Sequence, residues 1–545
     1  MDYQRNFFII ALLTVTFIMW QTWQTEHNLK YNNESIDHTT NNNISQEQFT
    51  GQTDNNQTNK IIKLRNDVLS LEINTRGGNI ENAYLLNYLE TLNTKKPFTL
   101  LTTSKEYVYQ NEIIVNNVTD ENWMEITKKP IVYKTIQNKD DYVLDDNQEE
   151  LQLPLYYIDQ DGVIYTKIYI LKRGSYAIQI NYNINNTTKK LLKTNLSGKL
   201  TQSIKCPKEY DENRNFFLST YRGAAYYLNK NKYKKYSFKE MKNKNLYIET
   251  KEEEGWVAIL QQYFIVAMLP YTKNNIFYTK YLDDKAIIGF TSSKFEIKPQ
   301  QQKTLRTTLW VGPKIQEKMA FVNHHLELTI DYGWLWFISQ PLFKLLQFIH
   351  DYVGNWGISI VIITLIIRII MYPLTKSQYT SMAKMRILQP KLMSIQKQFK
   401  NNKQRFHQEM ISLYKKEKVN PLGGCLPLLI QMPIFLALYY MLSGSVELRH
   451  AKFIFWIHDL SSQDPYYILP IVMGATMFLI QKTSPTTMTD PIQQKIMNYM
   501  LIIFTIFFLW FPSGLVLYYV ISNMITIIQQ KIINNELKRK SLILK

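Results

Sequence analysis

Arg368 is the single charge between Tyr352 and Thr375, set in the run Val361-Ile-Ile-Thr-Leu-Ile-Ile-Arg368-Ile-Ile-Met-Tyr372. A guanidinium inside an apolar run costs at least ~2.5–3.5 kcal/mol on insertion scales, so it normally faces a wet cavity or a partner. None of the long apolar runs of this chain carries an Asp or Glu to pair with it. A fixed positive site without a counter-charge suits attraction of an acidic or polar segment from another molecule. Polar residues in neighbouring positions extend that chemistry. Thr364 and Arg368 are four apart and Tyr372 is four further on, the spacing of one helical face. Tyr519, Asn523, Thr526 and Gln530 form a second stripe, and Gln431 lies inside a third apolar run. Two polar stripes and an arginine predict helices around a hydrated groove. Ordinary interhelical hydrogen bonding is the plainer account of Asn523 and Gln431 taken singly.

The elements that must position these residues follow from hydropathy and charge. Residues 6–25 are uncharged and end Trp20-Gln-Thr-Trp23, with bulky groups where a cleavage site needs small ones. That predicts an uncleaved anchor over 1–25. The Asn/Gln/Thr-rich stretch 26–60 predicts a flexible tether, because it has too few aliphatic residues to offset ordering entropy. After the arginine-bearing span, 352–375, come the runs Val419–Val446, Pro465–Gln481 and Ile496–Gln530. The last must fold back at Phe511-Pro-Ser-Gly514, a turn signal. With the anchor this makes six spans, four of them within 419–533. Two are short: 465–481 and 496–511 rise about 24–26 Å as helices, against a hydrocarbon core of about 30 Å.

The net charge is +18, but residues 376–418 hold eleven Lys/Arg against two acids, and 531–545 hold five against one. Positive charge concentrated beside apolar spans marks cytoplasmic loops and argues against a DNA-binding stripe. Both termini, the loop 376–418 and the basic tail 534–545 are therefore placed inside. Residues 331–351, interrupted by Pro341 and Lys344, are read as an interfacial amphipathic helix, since another crossing would put the basic loop outside. Within that loop Met382, Met385, Leu388, Leu392, Ile395 and Phe399 recur at helical spacing and predict a cytosolic helical hairpin. Methionine-rich faces of this kind adapt to varied partners.

Over residues 61–330 the period changes to two. Tyr176, Ile178, Ile180, Tyr182 and Ile184 alternate with polar or small residues, and Lys172-Arg173-Gly174 joins this run to Val163–Leu171 as a hairpin. Many such runs predict a large antiparallel sandwich. Its two histidines, His324 and His325, sit at its extreme end, which argues against a His-dependent active site. Cys206 and Cys425 fall in different compartments and offer no disulfide framework. No P-loop or other nucleotide motif is present, and no cofactor or metal is expected.

The chain resembles the YidC/Oxa/Albino family of membrane insertases, in the Gram-negative form with a large periplasmic domain. The resemblance rests on Met1-Asp-Tyr-Gln-Arg-Asn6, Ile73-Asn-Thr-Arg-Gly-Gly78, Tyr372-Pro-Leu-Thr-Lys376, Asn420-Pro-Leu-Gly-Gly-Cys425, Gln431-Met-Pro-Ile-Phe435 and Phe511-Pro-Ser-Gly514. It implies a membrane α-helical bundle of six spans, five forming the insertase core, plus a periplasmic all-β supersandwich of galactose-mutarotase type. It implies a protein of the bacterial inner membrane that is not an enzyme. Its expected work is to insert and help fold membrane proteins, alone or with the Sec translocon. The implied groove arginine is Arg368, with client contacts at Thr364, Tyr518 and Tyr519, and the hairpin would receive nascent clients from the ribosome and signal-recognition machinery. The competing reading is a polytopic transporter with an external solute-binding sandwich, for which the missing intramembrane carboxylate and the absence of a visible repeat are unfavourable.

Overall fold

The computed structural model describes residues 60–92, 94–104, 106–117, 131–137, 139–205, 221–229, 232–251, 255–399, 402–417, 426–483 and 491–539. The expected anchor 1–25, nearly all of the tether, both cysteines and the last six residues of the tail lie outside these.

Among the described residues of 61–313, alternating side chains build two sheets, one of eleven strands and one of nine. In the second sheet the strand Ile164–Lys172 pairs antiparallel with Ala177–Asn185, the hairpin read from the sequence. Its turn uses Gly174 at φ +65°, a conformation that costs glycine nothing. The strand Gln302–Pro313 pairs with Ala177–Asn185 on one side and Phe264–Pro270 on the other. Phe264–Pro270 is buried throughout and Gln302–Pro313 from Thr307 onward, and Trp256, Trp310, Phe264 and Phe290 fill the interior between the sheets. An N-terminal capping box, Ser237 with Glu240, starts the short helix α1 (Phe238–Asn243) after the edge strand Lys232–Ser237.

Helices take over beyond residue 313. They are α2 (Gln316–Val322), α3 (Trp336–Val353), α4 (Trp356–Ile370), α5 (Tyr372–Gln398), α6 (Lys403–Lys416), α7 (Leu426–Gly444), α8 (Ile468–Thr483), α9 (Pro491–Phe507) and α10 (Ser513–Arg539). Helix α3 is amphipathic: Ser339, Phe343, Leu346 and Ile349 are buried, while Phe337, Lys344, Phe348 and Tyr352 are exposed. It stops at Gly354 in the left-handed region.

The segment 352–375 is not one helix. It takes in the end of α3, all of α4 and the start of α5, whose axis bends 58° from that of α4. Pro373 is the cause: it has no N–H to bond the Ile369 carbonyl, its ring crowds that carbonyl, and it is readily accommodated in the first turn of a new helix. Helix α10 runs unbroken to Arg539, so the start of the basic tail is helical. Among the described residues α10 is the one helix both long and apolar enough to cross a bilayer alone. The bent pair α4–α5 is a second if counted as a single span; α8 and Tyr499–Trp510 are shorter apolar helices.

A second core joins Ile360 and Ile363 of α4, Leu438 and Leu442 of α7, Met473 of α8 and Leu515 and Val516 of α10. Tyr379 and Ala383 of α5 meet Ile533 and Leu537 of α10 in a third cluster, where Lys376 pairs with Glu536 at 2.7 Å. The sandwich is seated on the helices by the segment after α7. Arg449 donates to the carbonyl of Leu89 at 2.9 Å and lies over the rings of Phe98 and Phe264. Gln262 donates to the Ser443 carbonyl at 3.0 Å.

Candidate functional site

Arg368 lies in the last turn of α4, and its side chain reaches across to α10 rather than along its own helix. Its Nε donates to the Ser522 hydroxyl at 2.7 Å, and Nη2 donates to the same oxygen. The main chain is tied as well, with Gln529 Nε2 donating to the Arg368 carbonyl at 3.1 Å. Among the described residues no carboxylate forms an ion pair with this guanidinium. One turn before Ser522, Tyr518 is buried and accepts a 2.7 Å hydrogen bond from Gln431 of α7. Side chains from α4, α7 and α10 therefore converge as Gln431–Tyr518–Ser522–Arg368–Gln529. This row supplies donors and acceptors beside the aliphatic and aromatic side chains of the second core. Such a set can solvate a polar segment, and the fixed cation can attract an acidic one.

The other expected residues take different places. Tyr519 packs edge-on against Phe435 and Phe508, with centroids 5.3 and 5.0 Å away. Asn523 donates to Thr476 of α8 at 3.1 Å, and Gln530 accepts from Thr483 of the same helix at 2.9 Å. The Tyr519–Asn523–Gln530 stripe therefore contacts the aromatic side of the bundle and α8. Thr364 is fully buried and its hydroxyl returns to the Ile360 carbonyl one turn back. Tyr372 stands beyond the bend, on α5, where it packs beside the Tyr379 cluster. Ser522 and Gln529, which do touch Arg368, are additions from the structure. Their spacing from Tyr518, four and eleven residues, traces a helical face one residue off the stripe inferred from sequence.

The end of the bundle away from the bend is laced by hydrogen bonds. Ser513 and Gly514 at the start of α10 donate from their backbones to the carbonyls of Ser462 and Leu460, at 2.7 and 2.9 Å. Asp464 accepts from the Trp456 indole at 3.0 Å and from the Leu469 amide at 2.7 Å, fixing the entry into α8. Gly357 at the start of α4 lies so close to Phe453 that an added Cβ would stand 2.0 Å from the ring.

Comparison with known proteins gives a concordant result. Residues 348–540 match the family described as "60Kd inner membrane protein", and residues 61–345 match the family described as "YidC periplasmic domain". The membrane protein insertase YidC of Blochmanniella floridana is 55% identical over 560 residues, covering 99% of both chains. A solved active YidC insertase with its first transmembrane domain resolved aligns over 87% of this chain and 92% of its own, at 17% identity and a TM-score of 0.37. YidC of Thermotoga maritima aligns over 86% and 99%, at 15% identity and a TM-score of 0.31.

Proposed function

This chain belongs to the YidC family of membrane protein insertases, and from that premise we propose that the polar cluster centred on Arg368 is where it receives the polar part of a client. The protein is an insertase of the bacterial inner membrane with a periplasmic domain, and not an enzyme. The observation that carries the site is the guanidinium of Arg368 held by Ser522 of α10, next to Tyr518 and Gln431, with no carboxylate bound to it among the described residues.

The hydrophobic segment of a client slides along the lipid-facing side of α7 and α9. Its polar tail enters between α4, α7 and α10, where Arg368 and the polar side chains replace lost hydration. The short spans shorten the remaining crossing, and the client leaves sideways into lipid. The membrane potential assists export of acidic tails, at about 2.3 kcal/mol per charge per 100 mV. Six spans with both termini in the cytoplasm, and cooperation with the Sec translocon, the ribosome and the signal-recognition machinery, belong to the same proposal. The hairpin α5–α6 is its receiving element.

The test is reconstitution into liposomes with a single-span client synthesised alongside, its translocated tail read by protease protection. Arg368→Ala lowers insertion of acidic-tailed clients more than of neutral-tailed ones, and Arg368→Lys restores part of it, because attraction needs charge more than fork geometry. Equal effects of Arg368→Ala on both client classes would refute a role for the charge.

A further inference from the structure

One exposed surface of the sandwich is not accounted for by its own core. Phe321, on α2, is 94% exposed, while Met319 two residues before it is fully buried. Its position is set by Glu317, which lies one turn earlier on the same face and accepts from Gln347 of α3 at 3.4 Å. Phe321 thus projects beside α3, the helix whose exposed side carries Phe337 and Phe348. Trp334 and Trp336 are half exposed or more at the start of α3, and tryptophan is the side chain that bilayer–water boundaries favour.

The edge strand joined to this segment is basic. The edge strand Lys232–Ser237 is tied to the approach to α3 by the ion pair of Lys235 with Asp331. His325, four residues after Phe321, stacks on Tyr227 of the adjoining strand at 4.2 Å. Lys232 and Lys234 are exposed on that edge strand, and Lys239, Lys242 and Lys244 are exposed on and just after α1. The one acid between residues 232 and 244, Glu240, is engaged in the capping box. Exposed aromatics beside an amphipathic helix, with a lysine-rich sheet edge joined to the same segment through Lys235–Asp331 and Tyr227–His325, are the composition of a surface that binds anionic lipid.

We infer that this base of the sandwich, Phe321 together with the lysine-rich edge and α1, contacts the phospholipid bilayer directly and prefers anionic headgroups. The inference rests on the reading of α3 as an interfacial helix. Phe321 enters the headgroup–acyl boundary, and the lysines act on headgroup charge within about 8–10 Å. The sandwich is then held against the bilayer at a second point beyond its seat on Arg449.

The experiment places the photo-reactive benzoyl-phenylalanine at position 321, 348 or 136 of the full chain. Each is reconstituted in phosphatidylcholine vesicles with or without phosphatidylglycerol, and lipid adducts are read by mass spectrometry. Position 136 is the control, since Ile136 is 65% exposed and follows the strand at the opposite edge of the same sheet. The expected result is phospholipid adduct at 321 and 348 and none at 136. Phosphatidylglycerol raises the yield at 321 several-fold, and Lys232→Gln with Lys234→Gln and Lys239→Gln abolishes that increase. Adduct at 348 without adduct at 321 overturns the inference and leaves the reading of α3 intact, whereas none at either position overturns both. A yield at 321 indifferent to phosphatidylglycerol refutes the anionic preference. In native membranes, capture of a protein at 321 in place of lipid overturns the inference in favour of a protein-docking surface.

Discussion

Lys167 makes the stability of the sandwich depend on pH in a direction that can be worked from its surroundings. It lies on the strand Ile164–Lys172, fully buried. Its Nζ donates to the carbonyls of Gly78 and Ile113, at 2.6 and 3.0 Å, and to Asn79 Oδ1 at 3.2 Å, between the rings of Tyr169 and Tyr182. Burial pushes its pKa down to about 7, opposed by the charge of Glu112. Three acceptors face the three ammonium protons and favour the charged form, against the burial that favours the neutral amine. In the unfolded chain the same group titrates near 10.4. Below pH 7 both states hold the proton and the burial penalty is in full force. Between about pH 7 and about pH 10 the unfolded chain holds more protons than the folded one, so folding stability rises with pH by up to about 1.4 kcal/mol per unit. Hydrogen exchange of the buried amides in the strands Ile164–Lys172 and Val108–Asn117, corrected for intrinsic rates, measures this in the full chain. Subtracting the profile of Lys167→Met removes every other titrating group. From about pH 7.5 to about pH 9 the difference should grow by about 2 kcal/mol in favour of wild type. A difference that stays flat or shrinks over that window would refute the buried-amine account.

Other consequences are more local. Ser522→Ala removes the one hydroxyl that holds the Arg368 guanidinium, a bond to a charged group worth about 1.5–3 kcal/mol; it should reduce protection of acidic-tailed clients, by less than Arg368→Ala does, in the same liposome assay. Arg449→Ala deletes the bond to the Leu89 carbonyl and the cation over Phe98 and Phe264, and should loosen the seat of the sandwich by roughly 2–3 kcal/mol. Limited proteolysis and faster exchange in residues 443–449 and 79–89 would report it, with the centre of the helical bundle unchanged. Gly357→Ala forces a Cβ into the ring of Phe453 and should destabilise the helical bundle by about 1–3 kcal/mol through overpacking, read as a lower thermal midpoint in detergent.

Much of this architecture is legible in the chain because its two periods differ so sharply. Tyr176 through Ile184 can serve only as a half-buried strand, and the hairpin register follows from the turn at Gly174. Lys167 sits at an inward position between Tyr165 and Tyr169. Its acceptors come from residues some fifty to ninety positions away and no local pattern announces them. The bend at Met371 was signalled by Pro373, yet apolar continuity outweighs a single proline when a span is read by hydropathy. The face of α10 that meets Arg368 is offset by one residue of helical phase from the polar stripe read in the sequence. Spacing shows that α10 has a polar face, but not which flank of that face turns toward Arg368. Asn523 and Gln530 are more polar than Ser522 and draw attention first, although their partners are on α8. Arg449 is invisible as a docking residue, because both rings it covers are more than 180 residues away in the chain.

The stitched end of the bundle bears on bioenergetics. Ser513 and Gly514 are tied to residues 460–462, and Asp464 clamps both Trp456 and the start of α8. Under the proposed function these bonds would be the floor of the recess around Arg368 and would deny ions a continuous polar path. A cell would then keep its proton gradient without a plug or a timed gate on the insertase, and the client would leave sideways into lipid.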